Sequence, residues 1–240
     1  MTLTCDIHTH TIASGHAYGT IREMAQAASE RGLSLLGLSE HGPGIPGTCD
    51  PFYFKALDVI PRTLYGVHII HGCELNVTND GVNLLDSKCM KKLDYALAGI
   101  HTTCYENAGM DQNTDNVIAF MKDPKVCFIS HPDDSHTPLC YPRLVEAAKT
   151  WHVALEVNSS SFRKPNRLNF RENYTEMLQL CEKMDVPIIV SSDAHDPFWV
   201  GMTREAEAFL EEVHFPERLI LNVEESRILD FIGLSEEIFG

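Results

Sequence analysis

Seven short apolar runs recur along the chain, at residues 4–10, 34–40, 67–74, 95–101, 126–131, 153–158 and 187–193. Each has the length of a buried strand. Segments with helical spacing lie between and after them, at 20–31, 114–122, 142–151, 171–184, 203–213 and 223–232. The first of these opens on Thr20 with Glu23 three positions on, a capping-box pattern, and stops at Gly32. The second stops ahead of Pro124. Strands alternating with helices predict parallel pairing through right-handed crossovers. The runs end at or next to His10, His41, Glu74, His101, His131, Asn158 and Asp193, at intervals of 27 to 35 residues. That interval is one strand–helix unit. Seven such units predict an α/β fold closed into a barrel; an open doubly wound sheet shares the alternation. The barrel is preferred because nearly every run ends in a potential metal ligand, whereas an open sheet gathers only the strands at its switch point. No linker or charge block divides the chain, so residues 1–240 read as a single catalytic domain.

The run ends carry the candidate chemistry. His8 and His10 stand at i and i+2 of a strand, and so face one side of it. Asp193 and His195 repeat that spacing. Ser39-Glu40-His41, Gly72-Cys73-Glu74, Gly99-Ile100-His101 and Ser130-His131-Pro132 each end a run on a ligand-type side chain, and His16 follows in the first loop. The predicted set is His8, His10, His16, His41, Glu74, His101, His131, Asp193 and His195. Nine ligands exceed the needs of one ion and suit two or three of the zinc, manganese or iron type. In a barrel they would gather at the C-terminal ends of the strands, where such folds keep their sites.

Composition narrows the function. Lys and Arg number 19 against 34 Asp and Glu, a net charge of −15. Such a chain is repelled by nucleic-acid backbones and anionic membranes, so neither is an expected partner. Twelve histidines strengthen the metal reading. No run approaches the roughly 18 apolar residues of a membrane span, and residues 1–10 show no secretory pattern. The eight cysteines form no Cys-x-x-Cys pair and read as reduced thiols of a cytoplasmic protein. Strand parity predicts that Cys5 and Cys73 face the helices.

Taken in order, Asp-x-His-x-His, Ser-Glu-His, Gly-x-Glu, Gly-x-His, Ser-His-Pro and Ser-Asp-Ala-His resemble the PHP (polymerase and histidinol phosphatase) superfamily, over about residues 4–200. Within it the chain is most similar to the short bacterial stand-alone phosphatases with a trinuclear zinc site, whose fold is a distorted (β/α)7 barrel. The resemblance implies one ion on His8, His10, Glu74 and Asp193, and a second on Glu74, His101 and His131. It implies a third on His16, His41 and His195. It also suggests a homo-oligomer, a trimer among the options. Asp133-Asp134 departs from the pattern, standing where relatives often carry a small residue.

The expected activity is hydrolysis of a small phosphorylated metabolite, a phosphomonoester, by a metal-bound hydroxide with no protein nucleophile. A phosphodiesterase on the same site, a histidinol phosphatase and a non-catalytic metal-binding module are the alternatives. Asp6 is a candidate for orienting His8 or His10, and Asn158 and Arg163 are candidates for substrate contact. His68, His71, His152 and His214 fall off the pattern and read as structural. His136 is a weak candidate for the acid that protonates the leaving group.

Overall fold

The computed structural model describes residues 2–240. In chain order its elements are β1 (Cys5–Thr9), α1 (Ile21–Glu30), β2 (Leu35–His41), α2 (Phe52–Lys55), β3 (Thr63–Leu64), β4 (Val67–Asn76), α3 (Ser87–Met90) and β5 (Ala96–Gly99). They continue with α4 (Met110–Phe120), β6 (Val126–Ile129), α5 (Tyr141–Trp151), β7 (Ala154–Asn158), α6 (Phe170–Met184), β8 (Ile188–Ser191), α7 (Arg204–Glu212) and α8 (Glu225–Ile232). Seven strands pair in parallel in the order β1-β2-β4-β5-β6-β7-β8, and β3 adds to β4 antiparallel. The result is a nearly closed, distorted (β/α)7 barrel. Each predicted run coincides with one of its seven strands, β2 and β4 continuing one and two residues past theirs.

The helices form where their caps say. Thr20 Oγ1 accepts from Glu23 N at 3.3 Å and Glu23 Oε2 accepts from Thr20 N at 2.7 Å, so both halves of the capping box are made. α4 begins earlier than its spacing predicts, at Met110, because Asn113 fixes its first turn. The Asn113 side chain bonds Tyr105 Oη, Ala108 N and Pro138 O. Two apolar layers result. One lies between strands and helices and includes Leu75, Leu155, Val157, Val190, Leu144 and Leu178. The other fills the barrel interior with Cys5, Ile7, Leu35, Ile70, Tyr95, Leu97, Phe128, Ala154 and Ile189, closed below by Ile228 and Leu229 of α8. Tyr95 fits there because Gly37 and Gly72 leave room: a Cβ on either would lie 2.2 or 2.5 Å from it.

β1 departs from simple parity. Its register against β2 runs Asp6 to Leu36 and then Thr9 to Leu38, three steps against two. The slip keeps Cys5 and Ile7 inside the barrel as well as His8 and His10, and turns Asp6 outward. Cys5 therefore packs in the interior, against the parity reading, while Cys73 faces the helical layer as predicted. The Ile7 carbonyl within the slip accepts from Tyr95 Oη at 2.6 Å.

The β8–β1 seam carries little strand pairing. Thr9 and Ala194 form one bridge, and His10 N donates to Ala194 O at 2.8 Å. Side chains close the rest. Asn222 Oδ1 accepts from Val190 N at 2.8 Å, and Asn222 Nδ2 donates to Val190 O and Cys5 O. Asp6 accepts from Ser192 N at 3.2 Å, Ser192 Oγ at 2.5 Å and Gly201 N at 2.8 Å.

Candidate metal centre

The nine predicted ligands converge at the C-terminal mouth of the barrel. Glu74, at the end region of β4, is wholly buried and central. Its Oε2 lies 3.2 Å from His8 Nε2, 3.5 Å from His10 Nε2 and 3.0 Å from His41 Nδ1. Its Oε1 lies 3.3 Å from His101 Nε2 and 2.8 Å from His131 Nε2, and accepts from Ser130 Oγ at 2.7 Å. Asp193 Oδ1 stands 3.7 Å from His8 Nε2, 3.4 Å from His10 Nε2 and 3.4 Å from His195 Nδ1. His195 Nε2 meets His16 Nε2 at 3.2 Å. Three ligand groups have donor atoms within 4.8 Å of one another: His8, His10 and Asp193; His41, Glu74 and His101; and His10, His41 and His195.

Local backbone brings them in. His8 and His10 share a face of β1 as the spacing predicts. Asp193 and His195 meet through a turn instead of a strand, because β8 ends at Ser191 and Asp193 has φ +53°. His131 likewise turns inward past the end of β6 with φ +32°. Non-glycine residues rarely hold such angles unless their surroundings fix them, and both lie at this site. Gly99 is required by the crowding, since a Cβ there would sit 2.1 Å from Ser130 Oγ and 2.9 Å from His131 Cε1.

Donor chemistry fits divalent ions. His8 Nε2, His10 Nε2, His41 Nδ1, Glu74 Oε2 and His101 Nδ1 are buried without hydrogen-bond partners. Buried polar atoms are seldom left so, and three of the five, on His8, His10 and His41, converge on a fourth, Glu74 Oε2. Charge is heavily redistributed here. Burial opposes charge on His8, but the carboxylates of Glu156, Glu74 and Asp193 override it and hold the ring well above the usual imidazole range. Burial, with His41 and His195 close by, drives His10 well below that range. Burial resists ionisation of Glu74 and Asp193 too. Surrounding imidazoles still hold Glu74 far below the carboxylate range, and Lys164 with His8 does so for Asp193.

Two residues behind the predicted ligands escaped sequence reasoning. Glu156 of β7, wholly buried, accepts from His8 Nδ1 at 2.6 Å and from His131 N at 2.6 Å. Glu40 accepts from Thr11 Oγ1 and Ser14 Oγ, each at 2.6 Å, and Ser14 Oγ lies 3.1 Å from His10 Nδ1. The available signal was a lone carboxylate inside an apolar run, at the parity of Asn158 for Glu156.

Other candidates stand elsewhere. Asp6 contacts the seam and neither histidine, for the register reason given above. Asn158 is buried, its Oδ1 capping Ser160 N and its Nδ2 donating to Glu156. Arg163 turns from the mouth toward Glu205, Met202 O and the face of Trp199, 4.5 Å away. A cavity of about 240 Å³ opens beside the cluster on the β5–β7 side, bounded by His101, His131, Thr103, Leu139, Lys164 and Arg167. Asp133 and Asp134 face Arg167 at 3.6 and 3.5 Å, tying the loop after β6 to the loop after β7. His136 is paired with Asp134 at 2.7 Å and does not line the cavity. His68, His71, His152 and His214 all lie off the site, as read from sequence: His68 bonds Glu225, and His152 stacks on Phe231.

Comparison with known proteins decides the family. The PHP domain model matches residues 6–182. The chain belongs to the PHP domain family. A probable phosphatase of Clostridium novyi (strain NT) is 39% identical over 228 residues, covering 95% of this chain and 93% of that protein. A probable phosphatase of Acetivibrio thermocellus is 37% identical over 238 residues, covering 99% and 98%. Among solved structures, histidinol phosphate phosphatase from Lactococcus lactis, complexed with zinc, L-histidinol and phosphate, superposes with a TM-score of 0.64 at 14% identity. That match covers 90% of this chain and 95% of the other. At that identity the likeness shows the PHP barrel and no more. Among the described residues of this PHP protein, no helix is long and apolar enough to cross a membrane.

Proposed function

We propose that this PHP protein is a metal-dependent phosphatase acting on a small phosphomonoester, with all 240 residues forming one catalytic domain. One observation carries the reading: buried imidazole and carboxylate atoms without partners converge on one another at the barrel mouth. Relatives named probable phosphatases support it. The residues assigned to the ions are His8, His10, Glu74 and Asp193 for one, Glu74, His101 and His131 for a second, and His16, His41 and His195 for a third. His10 lies close enough to His41 and His195 to share with that last group. Zinc suits this donor set, as do manganese and iron. Once bound, such ions activate water as the nucleophile and neutralise phosphoryl oxygens.

The protein's own groups do the remainder. Lys164 Nζ stands 3.1 Å from Asp193 Oδ2, at the edge of the cluster and on the cavity wall. Arg167 borders the same cavity. Both can meet a phosphoryl oxygen or a second anionic group on the substrate. Apolar Leu139 and Val117 give the leaving group a small apolar wall, and about 240 Å³ suits a small metabolite. A net charge of −15 likewise disfavours long nucleic acid.

The test uses p-nitrophenyl phosphate, bis(p-nitrophenyl) phosphate and histidinol phosphate with metal-loaded and chelator-treated protein. Turnover of the monoester, lost on chelation and restored by zinc or manganese, is expected. Preferential cleavage of the diester would replace this reading with the phosphodiesterase, and no turnover at all would leave a metal-binding module.

A further inference from the structure

We infer that Glu156 and Glu40, neither of them a ligand, set which nitrogen of His8 and His10 faces the ions. The inference rests on the metal-centre reading above and deepens it. Glu156 divides its two carboxylate oxygens: Oε1 takes the proton of His8 Nδ1 at 2.6 Å, and Oε2 takes that of His131 N at 2.6 Å and a weaker one from Asn158 Nδ2 at 3.2 Å. With one proton held on Nδ1, the nitrogen that His8 can free for an ion is Nε2, which faces Glu74 and Asp193 and has no other partner. The second bond holds the backbone of His131 at φ +32°, the turn that swings its imidazole toward Glu74. One buried side chain thus orients ligands from β1 and from the end of β6.

Glu40 does the same for His10 at one remove. Ionised carboxylate only accepts, so Ser14 Oγ donates to Glu40 Oε2 at 2.6 Å and has lone pairs left for His10 Nδ1–H at 3.1 Å and His41 N at 3.0 Å. His10 Nε2 is then the free atom, 3.4 Å from Asp193 and 3.5 Å from Glu74. Both are positioning residues, acting through the histidines and touching no substrate.

The inference makes an isosteric change informative. Glu156→Gln keeps the volume and one acceptor but replaces the other with an NH2 donor. If that group faces His8, Nδ1 must accept and the proton moves to Nε2, blocking the ion; if it faces His131, two donors oppose each other. Zinc affinity by competition with a chromophoric chelator should therefore fall roughly 10–100-fold in Glu156→Gln. Ser14→Ala should lower it by about tenfold, and it remains usable if Glu156→Gln fails to fold. In the zinc-loaded wild type, long-range ¹H–¹⁵N NMR should show His8 and His10 protonated at Nδ1 and metal-bound at Nε2. Wild-type affinity in both variants, or coordination through Nδ1, would overturn the inference alone. A wild type that takes up no zinc would instead overturn the metal reading itself.

Discussion

At the scale of single residues, Glu74 is the group on which the most contacts depend. It lies within 3.5 Å of five histidines. Glu74→Gln should lose at least roughly 100-fold in monoester turnover, together with most bound metal by elemental analysis; a variant that keeps both would contradict its central position. For the substrate wall, Lys164→Ala and Arg167→Ala should raise KM more than Arg163→Ala, whose guanidinium is already committed to Glu205 and Met202 O. Equal KM values across the three would count against the cavity as the substrate site. Outside the site, burial lowers His71 from 6.5 to about 4, with Arg62 adding to the effect and Asp94 and Asp58 opposing it. The ring is neutral in the fold and takes a proton on unfolding between those pH values. Its contribution is therefore complete above 6.5 and is lost as pH falls toward 4. Urea unfolding should show wild type losing up to about 3 kcal/mol more than His71→Leu over that window; parallel losses would refute it. The convergence of the nine proposed ligands was legible, because His, Glu and Asp at strand ends form an ordered pattern. Glu156 and Glu40 were not, because a carboxylate in an apolar run gives no sign of the imidazole it serves.

At the scale of elements, spacing located the seven barrel strands and the main helices because apolar periodicity records burial directly. It could not place α2, α3 and β3, which are too short for a period and are held by individual contacts, such as Asp86 Oδ1 accepting from Cys89 N. Nor could it anticipate the slip in β1, which depends on how that strand meets β2 and which decides the facing of Cys5 and Asp6. The seam gives an element-scale prediction. Asn222→Ala leaves Val190 N without an acceptor and removes the link to Cys5 O, so unfolding free energy should drop by about 2–4 kcal/mol. A drop below about 0.5 kcal/mol would mean that strand contacts alone close the barrel. Gly99→Ala would press on Ser130, His131 and Glu74 together, costing about 1–3 kcal/mol and weakening zinc uptake. Unchanged uptake would show that the mouth can yield.

At the scale of the whole molecule, the barrel carries a strongly acidic chain around a nucleus of histidines and carboxylates. Bound divalent ions stabilise such a fold in proportion to how much better they bind it than the unfolded chain. The most direct test of the account is a zinc titration of chelator-stripped protein, following bound ions and p-nitrophenyl phosphate turnover in the same samples. The account predicts no turnover in stripped protein and activity that rises with two or three ions per chain. Stripped protein that turns over the ester as fast as the loaded form, or a chain that binds no ion with useful affinity, would contradict it.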